Sequence, residues 1–238
     1  MSRSSTVPTR IRPASLSASN NQYCSTLGHC ASPIVLETRI GSDLALKASL
    51  LAGLRTLGRQ LDSITFSHCL RVGLLAQAAS VHLRMSDEDR SKFALACCFH
   101  DIGKLRIPSS ILMKNSSLEP FEARQLRDHP IYGLEYTAQL GWNDSRMLET
   151  IRSHHERWDG SGYPDGLSGE GIPAWARLCA VIDAYDAMVQ PRSYNCVKSI
   201  PEAMEELDLQ RNAHFDSACI DLFFRIPRST IESIHCIS

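Results

Sequence analysis

Apolar residues recur at helical spacing along most of this chain, and that periodicity limits the folds open to it. Leucines form one such stripe over residues 43–61, and similar stripes run over residues 65–84 and 173–188. Spacings of three and four residues place side chains on one face of a helix. No alternating, strand-like pattern is longer than four residues. The sequence therefore predicts an all-α fold, a helical bundle.

Capping residues and a proline indicate where the helices begin and end. Ser86 with Asp89 has the spacing of a capping box, and so does Ser199 with Glu202. Pro130 disfavours helical backbone at the residue before it, so we expect a break there. The expected helices cover residues 43–61, 65–84, 86–101, 119–128, 143–156, 173–188, a segment from 199 onward, and 216–224.

Composition narrows the classes of function. The 238 residues carry a formal net charge of −1, and 43% of them are hydrophobic. This balance argues against a generic electrostatic surface for DNA, RNA or membranes. No segment reaches the roughly 18 consecutive apolar residues of a membrane span, and the N-terminus lacks the apolar core of a secretory signal. We therefore expect a cytoplasmic protein.

The first 42 residues differ from the remainder of the chain. They are rich in Ser, Thr, Asn and Pro and show no sustained period. Such a segment buries too little apolar surface to offset its ordering entropy. We expect a flexible leader over residues 1–42 and one domain over residues 43–238.

The nine cysteines form no CxxC pairs with metal-finger spacing. Several lie inside apolar helical runs, as at Cys97, Cys98 and Cys179. This pattern is typical of reduced cysteines that pack in a core, and it favours packing over redox chemistry.

Histidines and carboxylates mark the candidate functional site. The pair His100-Asp101 ends an apolar run. Taken alone, such a pair is explained more simply by a buried histidine hydrogen-bonded to an aspartate. Similar residues in or at the ends of other predicted helices favour a metal centre, and the full candidate set is His68, His100, Asp101, His129, His154, His155 and Asp183.

The chemistry of these seven side chains limits which metal ions they can bind. A mixture of nitrogen and oxygen ligands suits Fe or Mn, and also Zn or Ni, whereas calcium prefers oxygen. Seven ligands suit two ions that share a carboxylate and a water, an arrangement that activates hydroxide for attack on a phosphoester. Lys104 would add a cation beside the phosphate, and its alternative is a solvated loop lysine.

Three motifs give the chain a specific resemblance. Residues 100–104 read HDIGK, His129-Pro130 follows with Gly133, and residues 154–167 read HHERWDGSGYPDGL. Together these motifs closely resemble the HD-GYP family of bacterial cyclic di-GMP phosphodiesterases. The resemblance covers about residues 60 to 225.

The resemblance implies a fold, an activity and a ligand set. The fold would be an HD-domain helical bundle with a C-terminal helical extension. The activity would be metal-dependent hydrolysis of cyclic di-GMP to linear pGpG, with further cleavage to GMP left open. One metal would be held by His68, His100, Asp101 and Asp183, and Asp101 would bridge to a second metal held by His129, His154 and His155.

The resemblance also implies substrate contacts and partners. Asp101 and Lys104 would be catalytic, and Lys104 would lie against the scissile phosphate. Tyr163, Arg192 and Tyr194 would bind substrate. Iron or manganese would fill the site, residues 162–164 would engage a diguanylate cyclase of the GGDEF type, and a homodimer is left open.

Several neighbours of the ligands have more than one interpretation. Tyr163 is expected either to contact a base or a partner, or to plug the end of the bundle. Glu156 or Asp159 could orient a ligating imidazole through its free N–H, and Asp186 could do the same or cap a neighbouring group.

Two departures from the family motifs modify the expectation. Ile64 stands where some members have a glutamate that binds a third metal, so two metals are predicted. Asn195 replaces a cation, and the loss of one charged phosphate contact would remove about 1.5 to 3 kcal/mol of binding. Two alternatives therefore stay open: another cyclic nucleotide or dinucleotide as substrate, or a slow or inactive module that acts through partner binding.

Overall fold

The computed structural model describes Arg55, residues 58–190 and residues 197–237. The predicted leader and most of the predicted helix over residues 43–61 lie outside the described residues. The same holds for Arg192, Tyr194 and Asn195.

The described ranges are helical. The ten α-helices are α1 (Ser63–Ser80), α2 (Asp87–Cys98), α3 (Ser109–Leu112), α4 (Pro120–Arg127), α5 (His129–Gln139), α6 (Ser145–Ser153), α7 (Ala174–Val189), α8 (Ile200–Leu209), α9 (Ser217–Phe224) and α10 (Arg228–His235). Short 3-10 turns cover Ile102–Arg106 and Gly169–Gly171. In these ranges we find no strand, only an isolated bridge between Arg211 and Phe215, and the all-α prediction is confirmed.

Several predicted boundaries agree with the structure. The Ser86 hydroxyl accepts a hydrogen bond from the backbone N–H of Asp89 at 3.0 Å and caps α2. Ser199 and Glu202 form a reciprocal capping box at the start of α8. The chain breaks at Asp128 between α4 and α5, as the proline predicted.

Three predicted helices were too long, and for two of them this matters for the site. The helix predicted over residues 65–84 ends at Ser80. α2 ends at Cys98, so His100 and Asp101 lie in the turn beyond it. The backbone N–H of His100 bonds to the carbonyl of Cys97, which is the tighter pattern of a helix end. α6 ends at Ser153, so the pair His154-His155 also follows a helix. Three helices were not predicted: α3, α5, which begins at His129, and the last helix, α10.

The core has two parts, and both include residues of α1 and α2. The larger part packs α1 and α2 against α7 to α10 around Phe93, Tyr185 and Phe223. The smaller part surrounds Phe99 and Trp142 beside α6. Complete burial of one such side chain contributes about 1.5–3 kcal/mol, so these contacts fix α1, α2 and α7 relative to one another.

Cysteines contribute to this packing as predicted. Among the described residues five cysteines are buried without a disulfide, and Cys236 is exposed. Burial raises the pKa of the Cys98 thiol to about 12, which leaves it protonated and unreactive. Within the described part of the chain, no helix is both long and apolar enough to cross a membrane.

Candidate metal centre

Five separate parts of the bundle bring the predicted ligands to one place. α1 and α7 each contribute a side chain from within the helix, α5 contributes its first residue, and the turns after α2 and α6 contribute two each. In this order the ligands are His68, Asp183, His129, then His100 with Asp101, and His154 with His155. The structure therefore brings together all seven residues that the sequence singled out.

One oxygen of Asp101 faces the first group of ligands. The Nε2 atom of His68 lies 3.0 Å from Oδ1 of Asp183 and 3.9 Å from Oδ2 of Asp101. The Nε2 atom of His100 lies 3.4 Å from that same Oδ2 of Asp101 and 3.6 Å from Oδ1 of Asp183. Atoms at these separations can ligate a single ion, because metal–ligand bonds are about 2.0–2.2 Å long.

The other oxygen of Asp101 faces the second group. Its Oδ1 atom lies 3.1 Å from Nε2 of His129 and 4.0 Å from Nε2 of His154. Ligand atoms of Asp101, His129, His154 and His155 all lie within 4.8 Å of one another. The carboxylate of Asp101 thus stands between two groups, which is the position of a bridging ligand.

Backbone carbonyls fix the orientation of three imidazoles. The Nδ1 atoms of His100, His129 and His154 lie 2.7–2.8 Å from the carbonyl oxygens three residues earlier in the chain. A carbonyl can only accept, so each Nδ1 carries the proton and donates it. The Nε2 lone pairs are therefore directed into the centre.

Several polar atoms in the centre lack a partner that suits them. The buried Nε2 of His100 and Oδ1 of Asp101 make no hydrogen bond to any described residue. The Nε2 atoms of His129 and His154 face each other at 3.3 Å, and both are acceptors when Nδ1 is protonated. Unsatisfied buried acceptors are costly, and one cation in each ligand group would satisfy them. The residues present fit a pair of divalent ions.

The ionisation states of two imidazoles and one carboxylate suit metal binding. Burial lowers the pKa of His154 well below its usual value, and burial also lowers that of His155 to about 3, so both rings are neutral. Burial raises the pKa of Asp183, but the adjacent imidazoles of His100 and His68 outweigh it and bring the pKa below the usual range. Burial lowers the pKa of His100, but the carboxylates of Asp101 and Asp183 outweigh it and raise the pKa, so a metal would displace a proton there. Neutral imidazoles and ionised carboxylates are the forms that ligate metals.

A carboxylate and an arginine support His68 from behind. Oδ2 of Asp186 lies 2.7 Å from Nδ1 of His68, so the predicted orienting role of Asp186 agrees with the geometry. Arg71 donates to both oxygens of Asp186, at 2.8 and 3.0 Å, and to the carbonyl of Ile237 at 2.7 Å. Sequence reasoning missed Arg71, although its position three residues after His68 places both on one helix face.

Glu156 and Asp159 do not orient an imidazole, contrary to one expectation. The carboxylate of Glu156 accepts three backbone hydrogen bonds, from Asp165, Gly166 and Leu167, at 2.7–3.1 Å. Asp159 accepts from the backbone and hydroxyl of Ser161. Both carboxylates therefore stabilise the loop that contains the GYP motif.

That loop packs directly against the second ligand group. The ring of Tyr163 stacks on the ring of His155, with centroids 4.7 Å apart and planes inclined by 27°. Gly162 allows this approach, because a Cβ atom there would lie 2.4 Å from the backbone nitrogen of Arg157. The stacking holds His155 in place. This role of Tyr163 was not among those predicted from the sequence.

Lys104 lies beside the centre and not free in a loop. Its ammonium donates to Oδ2 of Asp101 at 2.5 Å. Burial lowers the pKa of Lys104, but the adjacent Asp101 outweighs burial and brings the pKa above its usual value. Gly103 lets this turn lie on α5, since a Cβ atom there would be 1.9 Å from the carbonyl oxygen of His129.

A helical bundle that encloses a His-Asp pair among further histidines defines the HD type of metal-binding protein. Comparison with known proteins gives the family. The HD domain family model matches residues 44–219, and this chain belongs to that family.

Similar proteins of known name are phosphodiesterases. The cyclic di-GMP phosphodiesterase response regulator RpfG of Xanthomonas campestris is 36% identical over 177 residues, which are 73% of this chain and 46% of that protein. A cyclic di-GMP phosphodiesterase of Thermotoga maritima is 34% identical over 179 residues, 74% of this chain and 48% of that protein. The predicted resemblance to cyclic di-GMP phosphodiesterases is confirmed, and the chain spans about half the length of these relatives.

A third relative differs in its named substrate, and solved structures agree in fold. The 3'3'-cGAMP-specific phosphodiesterase 2 of Vibrio cholerae is 33% identical over 162 residues, 66% of this chain and 30% of that protein. A crystal structure of a cyclic GMP-AMP specific phosphodiesterase of V. cholerae aligns with a TM-score of 0.55 at 16% identity, covering 81% of this chain and 53% of that one. The predicted HD-type fold is confirmed.

Proposed function

We propose that this protein is a metal-dependent phosphodiesterase that hydrolyses cyclic di-GMP to linear pGpG, and that its physiological role is to lower the level of this second messenger. The observation that carries the proposal is Asp101, whose two oxygens face two separate groups of ligands. A carboxylate in this position supports a centre for two ions. Names of relatives at 34–36% identity support the substrate.

The chain's own residues have distinct roles in this proposal. The first group of four ligands and the second group of three would hold one ion each, with Asp101 shared. When bound, two divalent ions lower the pKa of a water between them and offset charge that develops on a phosphate. Lys104 would release Asp101 and bind a phosphate oxygen. Water adds across one P–O bond, which leaves a terminal phosphate and a free hydroxyl.

The finer details belong to the same proposal. The mixed imidazole and carboxylate ligands favour Fe(II) or Mn(II). Tyr163, Arg192 and Tyr194 would contact the substrate, and the loop at residues 162–164 would engage a diguanylate cyclase of the GGDEF type. We further propose a cytoplasmic location, a domain over residues 43–238, and a homodimer as the form to test first.

The test is hydrolysis of cyclic di-GMP by protein purified without oxygen and reconstituted separately with Fe(II) and Mn(II), with metal content measured alongside. We expect turnover with two metals per chain. Asp101→Asn should lose both metals and at least about a hundredfold in rate, because it removes the shared ligand. Asp87→Asn on the exposed surface of α2 is the matched control. Two bound metals without turnover would contradict the proposed activity and favour a partner-binding role.

A cyclic GMP-AMP phosphodiesterase is the second candidate. It is favoured by the cGAMP-specific relative at 33% identity. The change to Asn195 in the segment expected to hold the substrate also favours it. Competition between equal amounts of the two cyclic dinucleotides gives the ratio of their kcat/KM values directly. A ratio that favours the mixed dinucleotide by tenfold or more would replace the first candidate by the second.

A further inference from the structure

A cavity of about 680 Å³ opens beside the metal centre. His68, Asp101 and Lys104 of the centre form part of its lining. The rest of the lining comes from Asp62 and the first turn of α1, from residues 111–118, which follow the HD turn, and from Leu126. Volumes of 300 to 1,000 Å³ are typical of sites for small molecules. The cavity is therefore of the right size for a ligand that also reaches the ions.

The cavity is lined by apolar side chains that the protein leaves exposed. Ile64 is 58% exposed and Met113 is 63% exposed, although both line the cavity. Ile64 lies four residues before His68 on α1 and therefore on the same face, next to a predicted ligand. We name the apolar part of the lining the apolar wall, and it consists of Ile64, Ile111, Leu112, Met113, Leu118 and Leu126.

Charged groups on this side of the cavity are already paired within the protein. The carboxylate of Asp62 accepts hydrogen bonds from the backbone N–H and the hydroxyl of Thr65, at 2.9 and 2.7 Å. Lys114 donates to Glu122 at 2.5 Å. The lining also includes the uncharged polar residues Thr65, Asn115, Ser116 and Ser117, and the rest of the surface on this side is apolar. An apolar surface in a concave site marks a position for an apolar part of a ligand.

We propose that the apolar wall binds a nucleobase of the substrate, with Ile64 and Met113 as the residues that determine affinity for it. This inference rests on the proposed phosphodiesterase function for its choice of a nucleotide. A phosphate on the ions leaves the attached nucleoside to extend into the cavity. A nucleobase has large apolar faces, and contact with them removes the exposed side chains of Ile64 and Met113 from water.

Equilibrium binding tests this inference separately from catalysis. The probes are GMP and ribose 5-phosphate, which differ by the base alone, titrated calorimetrically into the full chain loaded with Mn(II). Wild-type protein should bind GMP more tightly. In Ile64→Ser and Met113→Ser the ratio of the two affinities should fall about fivefold to tenfold. Both side chains are exposed, so the substitutions should leave the fold intact.

Leu209→Ser is the matched control, because Leu209 is 73% exposed and lies outside the lining of the cavity. Its ratio should equal that of the wild type. Equal affinities of wild-type protein for the two probes, or an unchanged ratio in both variants, would overturn the nucleobase site. Failure of the protein to hydrolyse cyclic di-GMP would instead count against the proposed function, since the binding ratio does not depend on turnover.

Discussion

Asp186 is the residue whose role is easiest to separate from that of the ligands. It touches Nδ1 of His68 and is held by two hydrogen bonds from Arg71. Its hydrogen-bond partners among the described residues are His68 and Arg71, neither of which belongs to the second ligand group. Its effect should therefore reach one of the two predicted metal positions and not the other.

Asp186→Asn should weaken metal binding by the first ligand group about tenfold to a hundredfold, as is typical of a residue behind a ligand. It also leaves Arg71 buried without a counter-charge, so the free energy of unfolding should fall by about 3–5 kcal/mol. A Mn(II) titration that resolves two sites, together with urea unfolding, measures both effects.

Asp165→Asn is the control for this variant. Asp165 pairs with Arg152 at the surface, and such pairs contribute about 0–1 kcal/mol. Equal loss of both metal sites in Asp186→Asn would show that the residue supports the whole fold and not His68 in particular.

His214 predicts how stability depends on pH. Burial, together with nearby Arg157, lowers the pKa of His214 to about 4, whereas an unfolded chain has a value of about 6.5. Between these values the unfolded chain binds a proton that the folded chain does not. The contribution of neutral His214 to the free energy of unfolding is therefore complete above about pH 6.5 and is lost as the pH falls toward 4.

The free energy of unfolding should fall less between pH 7 and pH 4.5 in His214→Gln than in the wild type, by about 1–2 kcal/mol. This value is reduced for the partial exposure of the ring. Urea unfolding at the two pH values measures it. His82→Gln, at an exposed position, is the control and should follow the wild type. A slope in His214→Gln that matches the wild type would refute the assignment.

At the scale of elements, the loop over residues 157–168 depends on one buried carboxylate. Glu156 is 2% exposed and accepts three backbone N–H groups of this loop. Tyr163 of the loop also donates its backbone N–H to the carbonyl of His155 at 3.2 Å. The loop and the second ligand group are therefore mechanically connected.

Glu156→Gln should loosen the loop, because the new amide would direct N–H groups toward backbone N–H groups that need an acceptor. Amide hydrogen exchange over residues 159–168 should become at least about tenfold faster, which corresponds to one or two lost hydrogen bonds. Glu149→Gln on the exposed side of α6 is the control. Unchanged amide hydrogen exchange in Glu156→Gln would mean that other contacts of the loop are sufficient to keep the loop ordered.

At the scale of the whole molecule, the centre joins elements that are distant in the sequence. Its candidate ligands come from α1, from the turns after α2 and α6, and from α5 and α7. Unfolding separates them, so metals that bind the assembled centre must stabilise the fold.

Mn(II) at 100 times its Kd should raise the free energy of unfolding by about 2.7 kcal/mol for each independent site. Thermal unfolding of chelator-treated and Mn(II)-loaded protein measures the change. Asp101→Asn should lose it, and Ca²⁺ should produce little of it, because calcium prefers oxygen ligands. A melting temperature that does not change when Mn(II) is added would argue against a metal centre in this bundle.

What the sequence by itself determined were the features carried by local spacing. Helical periodicity, the caps at Ser86 and Ser199, and the break before Pro130 depend on neighbours a few residues away, and these predictions hold in the structure. The candidate ligands could also be chosen from the sequence, because histidines and aspartates in or at the ends of helices limit the chemistry they can perform, and their role as ligands stays a prediction.

Tertiary structure alone decided how those residues are arranged. The contact between His68 and Asp186 spans 118 positions, so no local pattern could distinguish it from a surface cap. Packing also decided that each oxygen of Asp101 faces a different group and that Glu156 holds a loop. The apolar wall arises likewise, from segments that meet only when the bundle folds. Sequence specifies which groups are present, whereas the approach of distant segments specifies which of them share one site.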